Sequence, residues 1–381
     1  MCKGAENLDR AYRLTAEHEP MVHEFMPGGD DYLCRLGTYA AADGRPVALF
    51  FRVEDPGDGG EHGVRAQRRF NRLRSVAVRR VLLIWNPAST EVTGETVGSV
   101  LVQLAERFEV VAVHTAGPGD GERLGDLAVK QRFDAAFVLG GDGTANEVVN
   151  GVGDGLPIGV LPAGGTSVLP RALGIPRKLD DAVARLSDAL DDDSVRLISL
   201  GTVNDRRFTF AAGIGIDAEI VKRIDERGRG GNGADESSRP GDVWFVREAL
   251  ALLLDGEYAA PSMRVEVPGR QDLAAATVLV ANCSPWSFAG PVPLDVAPEA
   301  SFEGGFDLVV VESIEVSSAA GKFASLLRKT QEHEGVHRLH DLDRATIRCE
   351  QPMPVQVDGE LLGEFDVIKL GVVRSAARLL V

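Results

Sequence analysis

Residues 135–147 read Ala-Ala-Phe-Val-Leu-Gly-Gly-Asp-Gly-Thr-Ala-Asn-Glu, and no other stretch restricts the fold as strongly. A short apolar run bounded by glycine, leading into a segment able to start a helix, fits a buried strand feeding a crossover helix. The glycines at 140, 141 and 143 let the main chain pass close to a bulky anion, in conformations that side chains forbid. The helix start beyond them offers unpaired N–H groups to oxyanions. Asp142 adds a carboxylate of the kind a magnesium-bound nucleotide needs. Gly140, Gly141, Asp142, Gly143, Thr144, Ala145 and Asn146 therefore form one candidate phosphate loop. It is neither a Walker loop nor a G-x-G-x-x-G segment. The bland alternative is an ordinary βα turn with Asp142 as a helix cap.

The flanking sequence repeats the strand signal. Val81–Trp85 ends at Asn86 and Pro87, Val110–Thr115 follows a helical stretch, and Ile158–Pro162 runs into Gly164, Gly165 and Thr166. Apolar runs separated by helical segments indicate a parallel sheet, whose ligands sit beyond the carboxyl ends of the strands. That rule gathers Asn86, Pro87, Thr115, the 140–146 loop, Gly165 and Thr166 on one rim. After a helix around Leu179–Leu190 the texture changes to short strands, among them Val195–Gly201, Met263–Val267 and Leu308–Val311. The expected organisation is an extension of no recognised chemistry (1–79), an α/β domain (80–192) and a β-rich, sandwich-like domain (193–381).

A net charge of −16 argues against general adhesion to nucleic acid. Arg65, Arg68, Arg69 and Arg72 nevertheless have the spacing of one helical stripe, read either as a lipid-headgroup patch or as a solvated linker helix. Four cysteines without a C-x-x-C pair fit neither a disulfide framework nor a cysteine zinc cluster. No apolar run reaches the length of a membrane span, and the first residues lack the apolar core of a secretory signal, so a cytoplasmic location is expected. His333, His337 and His340 lack the H-E-x-x-H pattern of a zinc site.

Gly140-Gly-Asp-Gly-Thr144 resembles the signature of diacylglycerol-kinase catalytic domains and their sphingosine-kinase and bacterial lipid-kinase relatives; NAD kinases share it more distantly. Four further segments are similar to the family's in the same order: Asn86-Pro87, the loop Leu161–Pro176, Gly213-Ile-Gly-Ile-Asp217-Ala, and Asp358-Gly359-Glu360. The resemblance implies an ATP-dependent lipid kinase, with magnesium bridging the phosphates beside Asp142 and Glu360 as general base toward a lipid hydroxyl. Asp358-Gly359 is also a strong hairpin-turn pair, which would fix the place of the next side chain. Asp217 reads equally as an orienting group and as a helix cap. The resemblance further implies a structural magnesium at the 303–307 turn, held by Glu303 with the carbonyls of Ala300 and Gly305; the alternative reading is a hairpin turn without metal. One departure stands out: where the family has an Asn-Asp pair, this chain has Ser167-Val168. Expected partners are ATP, a lipid at the inner face of the cell membrane and a second copy of the chain. A non-catalytic nucleotide- or lipid-binding protein and an NAD kinase remain the alternatives.

Overall fold

The computed structural model describes residues 79–230, 251–252, 260–314 and 334–381, together with the backbone of four strands between residues 20 and 54. Those strands are β1 (Pro20–Met21), β2 (Phe25–Pro27), β3 (Leu33–Ala40) and β4 (Pro46–Glu54), with β3 and β4 paired antiparallel. β4 contains the mostly apolar run Val47–Val53. The arginine stripe at 65–72 lies outside the described residues.

The next four strands are the four apolar runs. β5 (Arg80–Trp85), β6 (Glu109–His114), β7 (Ala135–Gly140) and β8 (Pro157–Pro162) lie parallel in the order β6-β5-β7-β8. β4 continues that sheet beyond β6, antiparallel, through Leu49 opposite Ala112. Helices α1 (Gly94–Ala105), α2 (Asp120–Lys130), α3 (Asp142–Val152), α4 (Val168–Ala172) and α5 (Leu179–Asp191) make the crossovers. All six residues of β7 are buried, as a central strand covered on both faces requires. Phe137 at its middle is fully enclosed, a burial that contributes roughly 2–3 kcal/mol.

The rest is β-rich, as the sequence texture indicates. β9 (Val195–Val203) and β10 (Arg206–Phe208) form a hairpin, followed by β11 (Ala211–Ile214) and helix α6 (Ile216–Gly230). β12 (Met263–Glu266), β13 (Leu273–Ala275) and β14 (Thr277–Ala281) follow, then a separate hairpin of β15 (Ser287–Ala289) and β16 (Val292–Leu294). β17 (Phe306–Val311), β18 (Val336–Leu342), β19 (Arg344–Val357) and β20 (Glu360–Leu380) complete the chain.

β20 joins the two parts. It pairs with β19 as far as Gly371, then runs antiparallel to β9, and its Arg378 and Leu379 lie parallel to Pro157 and Ile158 of β8. Ala377, Leu379 and Leu380 enter the same core as Leu83 and Phe137. The final residues of the chain thus extend the parallel sheet. The hairpin turn that opens β20 is held from the same strand, beside the rim where β7 ends.

Candidate active site

The 140–146 loop starts where β7 ends. Gly141 is the extended N-cap of α3 (φ −79°, ψ 176°), and no side chain caps that helix. Neighbouring helix starts are closed instead by carboxylates carried on α3. Asp142 accepts from the amides of Val168 (2.9 Å) and Leu169 (3.0 Å) at the start of α4. Glu147 accepts from Gly119 (2.6 Å) and Gly121 (2.9 Å) at the start of α2. Asn86 donates from Nδ2 to Thr144 Oγ1 at 2.9 Å, while its Oδ1 takes the Ala88 amide in an Asx turn over Pro87. Thr115, buried at the end of β6, donates its amide to Trp85 O at 2.9 Å.

The second glycine loop folds directly onto the first. A Cβ at Gly164 would come within 2.7 Å of the Gly141 Cα, so the two main chains touch. Gly141 and Gly165 both face open space where a Cβ would stand. Ser167 adopts the left-handed conformation (φ 50°) and is held there because its hydroxyl donates to Gly164 O at 2.8 Å and accepts from Gly164 N at 3.2 Å. The family's Asn would suit that conformation without such help. Val168, in place of the family's Asp, is buried and presents only its amide, to Asp142.

Glu360 arrives from the other part. Asp358 (φ 49°) and Gly359 (φ 83°) are both left-handed and join Val357 to Glu360, the geometry of a type I′ hairpin. The Glu360 carboxylate lies directly on Gly143: a Cβ there would overlap it. Asp358 is buried and locks the turn. It accepts from Thr209 N (2.7 Å), Thr209 Oγ1 (2.8 Å), Phe210 N (3.0 Å), Ala211 N (3.1 Å) and Asn146 Nδ2 (2.7 Å). Desolvation raises the Asp358 pKa although the hydrogen bonds oppose it. Asn146, placed by sequence in the nucleotide loop, turns inward: its amide also donates to Arg207 O at 3.1 Å, and its oxygen accepts from Arg206 at 2.8 Å. It latches α3 to the β-rich part.

Asp142 is likewise committed to structure. Burial raises its pKa to about 6, partly opposed by the two amides it accepts. Both of its oxygens already serve the start of α4, so the geometry supports a brace between the glycine loops more than a direct magnesium ligand. Asp217 stands outside the cap role weighed for it: its carboxylate accepts from Gln356 Nε2 at 2.6 Å, and burial raises its pKa to about 6 as well.

The residues at the 303–307 turn do not fit a cation. Arg196 Nε and Nη2 hold both Glu303 oxygens, at 2.5 and 3.0 Å, and Ser301 Oγ adds a third contact. That pairing, led by the Arg196 hydrogen bonds, holds the Glu303 pKa down at about 2. The magnesium expected at Ala300, Glu303 and Gly305 does not fit this arrangement, in which a guanidinium already supplies the positive charge to Glu303. The acid that organises this turn is Asp307, which takes His340 Nδ1 at 2.9 Å and the Asp341 amide at 2.9 Å, while Asp341 accepts the Gly305 amide at 2.7 Å. Among the described residues, no three His, Cys, Asp or Glu side chains gather as a metal would need.

Residues 80–201 match the family model for the diacylglycerol kinase catalytic domain. A diacylglycerol kinase of Bacillus subtilis (strain 168) is 27% identical over 305 residues, covering 76% of this chain and 93% of that protein. One from Staphylococcus haemolyticus is 35% identical over 137 residues, 34% of this chain and 40% of that protein. A solved structure of a diacylglycerol kinase from Bacillus anthracis str. Sterne shares the fold, with a TM-score of 0.58 at 17% identity over 80% of this chain and 97% of that one. The catalytic-domain match and the relatives named diacylglycerol kinase make this an enzyme of the lipid-kinase class. Over residues 80–201 the chain is similar to the diacylglycerol kinase catalytic domain, and over 305 residues to a diacylglycerol kinase.

Proposed function

We propose that this protein transfers the γ-phosphate of ATP to the hydroxyl of a membrane lipid, with diacylglycerol as the first candidate, and that Glu360 accepts the proton. One observation carries the reading: the Glu360 carboxylate rests on Gly143, beside an uncapped helix start and the open faces of Gly141 and Gly165. Phosphoryl transfer asks the protein mainly to position its reactants and to neutralise phosphate oxygens. Main-chain amides of residues 141–143 and 165–166 suit the oxygens, because an uncapped helix start directs N–H groups and a positive dipole end at an anion. Magnesium, when carried in with the nucleotide, would draw charge from the phosphates; it keeps most of its shell as water and phosphate, which fits a cleft with few carboxylates.

The acid–base step falls to Glu360. A carboxylate across the cleft from the phosphates can take the hydroxyl proton as the oxygen attacks, a role that contributes typically 10²–10⁴-fold. Asp142, Asn146, Glu147 and Asp358 work as positioning residues, since each spends its side chain on backbone or side-chain groups of another segment. No helix among the described residues is long and apolar enough to cross a membrane. The proposed enzyme takes its lipid at the cytoplasmic surface of the bilayer, where ATP is present.

Incubating the protein with labelled ATP and magnesium, with extracted lipids and NAD offered as acceptors, then identifying the product by mass, tests this reading. A phosphorylated lipid is expected. Phosphorylated NAD in its place would indicate the more distant relatives, and no product of any kind would leave a binding protein.

A further inference from the structure

Glu360 follows a two-residue turn, and a turn so short needs something to fix its tilt. Asp358 anchors one side. The other is held by Gln356, a residue only 4% exposed. Gly359 donates its amide to Gln356 Oε1 at 2.9 Å, and Gln356 Nε2 donates to Asp217 Oδ2 at 2.6 Å. Asp217 stands in the first turn of α6 and approaches β11 closely enough that a Cβ at Gly213 would overlap its carboxylate. Gly213 in turn lies opposite Gln356 in the β11–β19 ladder, so all three groups are fixed by backbone register.

The chemistry of an amide makes this arrangement directional. Its nitrogen only donates and its oxygen only accepts, whereas an ionised carboxylate only accepts. With Asp217 on one side, Gln356 must turn Nε2 toward it, and that orientation aims Oε1 at the Gly359 amide. The flipped amide would oppose oxygen to carboxylate and NH₂ to N–H.

We propose that Asp217 and Gln356 are positioning residues for the phosphoryl-transfer step: Asp217 orients the Gln356 amide, which holds the Asp358-Gly359 turn and so keeps Glu360 against Gly143. This rests on the reading of Glu360 as the proton acceptor. Neither residue reaches the nucleotide loop, so their loss acts on turnover and leaves ATP binding intact.

The test is a polarity swap in the full chain, assayed at pH 8.5 with ATP and diacylglycerol vesicles. Gln356→Glu places two carboxylates face to face and is expected to lower kcat by about 30-fold or more, with the KM for ATP within about threefold of wild type. Its activity should recover as pH falls toward 6, where protonation of one partner restores a donor. The double variant Asp217→Asn/Gln356→Glu reverses the pair, since an Asn nitrogen can donate to one oxygen of the introduced carboxylate while the other oxygen takes the Gly359 amide. It should regain most of the lost kcat, and amide exchange in the 355–361 segment should return toward the wild-type rate. If Gln356→Glu fails to fold, Gln356→Met removes the amide without adding charge and should show the same split between kcat and KM.

Wild-type kcat in folded Gln356→Glu or Gln356→Met overturns the proposal. So does a folded double variant no faster than the single. Glu360→Gln is run alongside: if it stays active, the proton-acceptor reading falls and takes this inference with it. If it is inactive while folded Gln356→Glu is fully active, only the inference falls.

Discussion

Gly143→Ala separates activity from stability in a way the geometry makes specific. Gly143 sits in the first turn of α3, and its φ is not in the left-handed region, so alanine meets no backbone strain there. Alanine in a helix gains roughly 0.5–1 kcal/mol over glycine. Against this stands one clash, with the Glu360 carboxylate. That carboxylate ends a flexible side chain, so it can swing away at small cost to the fold. The displaced group, however, must move by an ångström or more, and misplacement on that scale costs about 10²-fold in rate. The expectation is kcat reduced about 100-fold, a melting temperature unchanged or slightly higher, and nearly normal ATP affinity. Gly141→Ala and Gly165→Ala are the counterpart: open space at both positions leaves the fold unaffected, but the methyl groups occupy the proposed phosphate volume and raise the KM for ATP. Steady-state kinetics with a thermal melt on the same preparations decides the matter. Gly143→Ala with wild-type kcat would refute the placement of Glu360 on Gly143.

Further outcomes follow from where the charges sit. Asp358→Asn points an NH₂ group at donors that now find a carboxylate, so it should cost about 3 kcal/mol in urea denaturation; an unchanged midpoint would contradict the locked turn. Asp217 has a folded pKa raised to about 6 by burial, above the ordinary carboxylate value of 3.8. Its contribution to stability is full below about pH 4 and is lost as pH rises through about 6. Asp217→Asn removes that loss, so its stability relative to wild type should rise by about 2 kcal/mol between pH 4 and pH 8. A flat difference across that range would show that the carboxyl is not desolvated. Arg196→Ala should cost only about 1 kcal/mol, because the Arg196–Glu303 pair is partly exposed. Wild-type melting should not respond to a chelator, whereas a drop of several degrees would indicate a cation at Glu303.

Much of this was legible in the sequence, for identifiable reasons. The four parallel strands announce themselves as apolar runs bounded by Gly, Pro or Asn, and the 140–146 loop is local enough for its glycines to speak for themselves. Asp358-Gly359 names its own turn, because few residues other than Asp and Gly take two left-handed positions in a row. Interactions between distant segments were not legible. The amides that occupy Asp142 lie 26 and 27 residues away, and the arginine that neutralises Glu303 lies 107 residues back. β20 was hidden too: its 21 residues change partners from β19 to β9 and β8, and Gly363, Gly371 and Ser375 interrupt the alternation that would mark a strand. Gln356 and Glu147 carry no motif at all. Only burial and partners reveal them.

Parallel measurement of ATP binding and of phosphate transfer to diacylglycerol vesicles, on wild type and Glu360→Gln, addresses the core of the mechanism. The predicted result is equal nucleotide affinity in both proteins, with transfer by the variant slower by about 10³-fold or more. Transfer by Glu360→Gln at the wild-type rate, or a wild-type protein that does not bind ATP in the presence of magnesium, would contradict it.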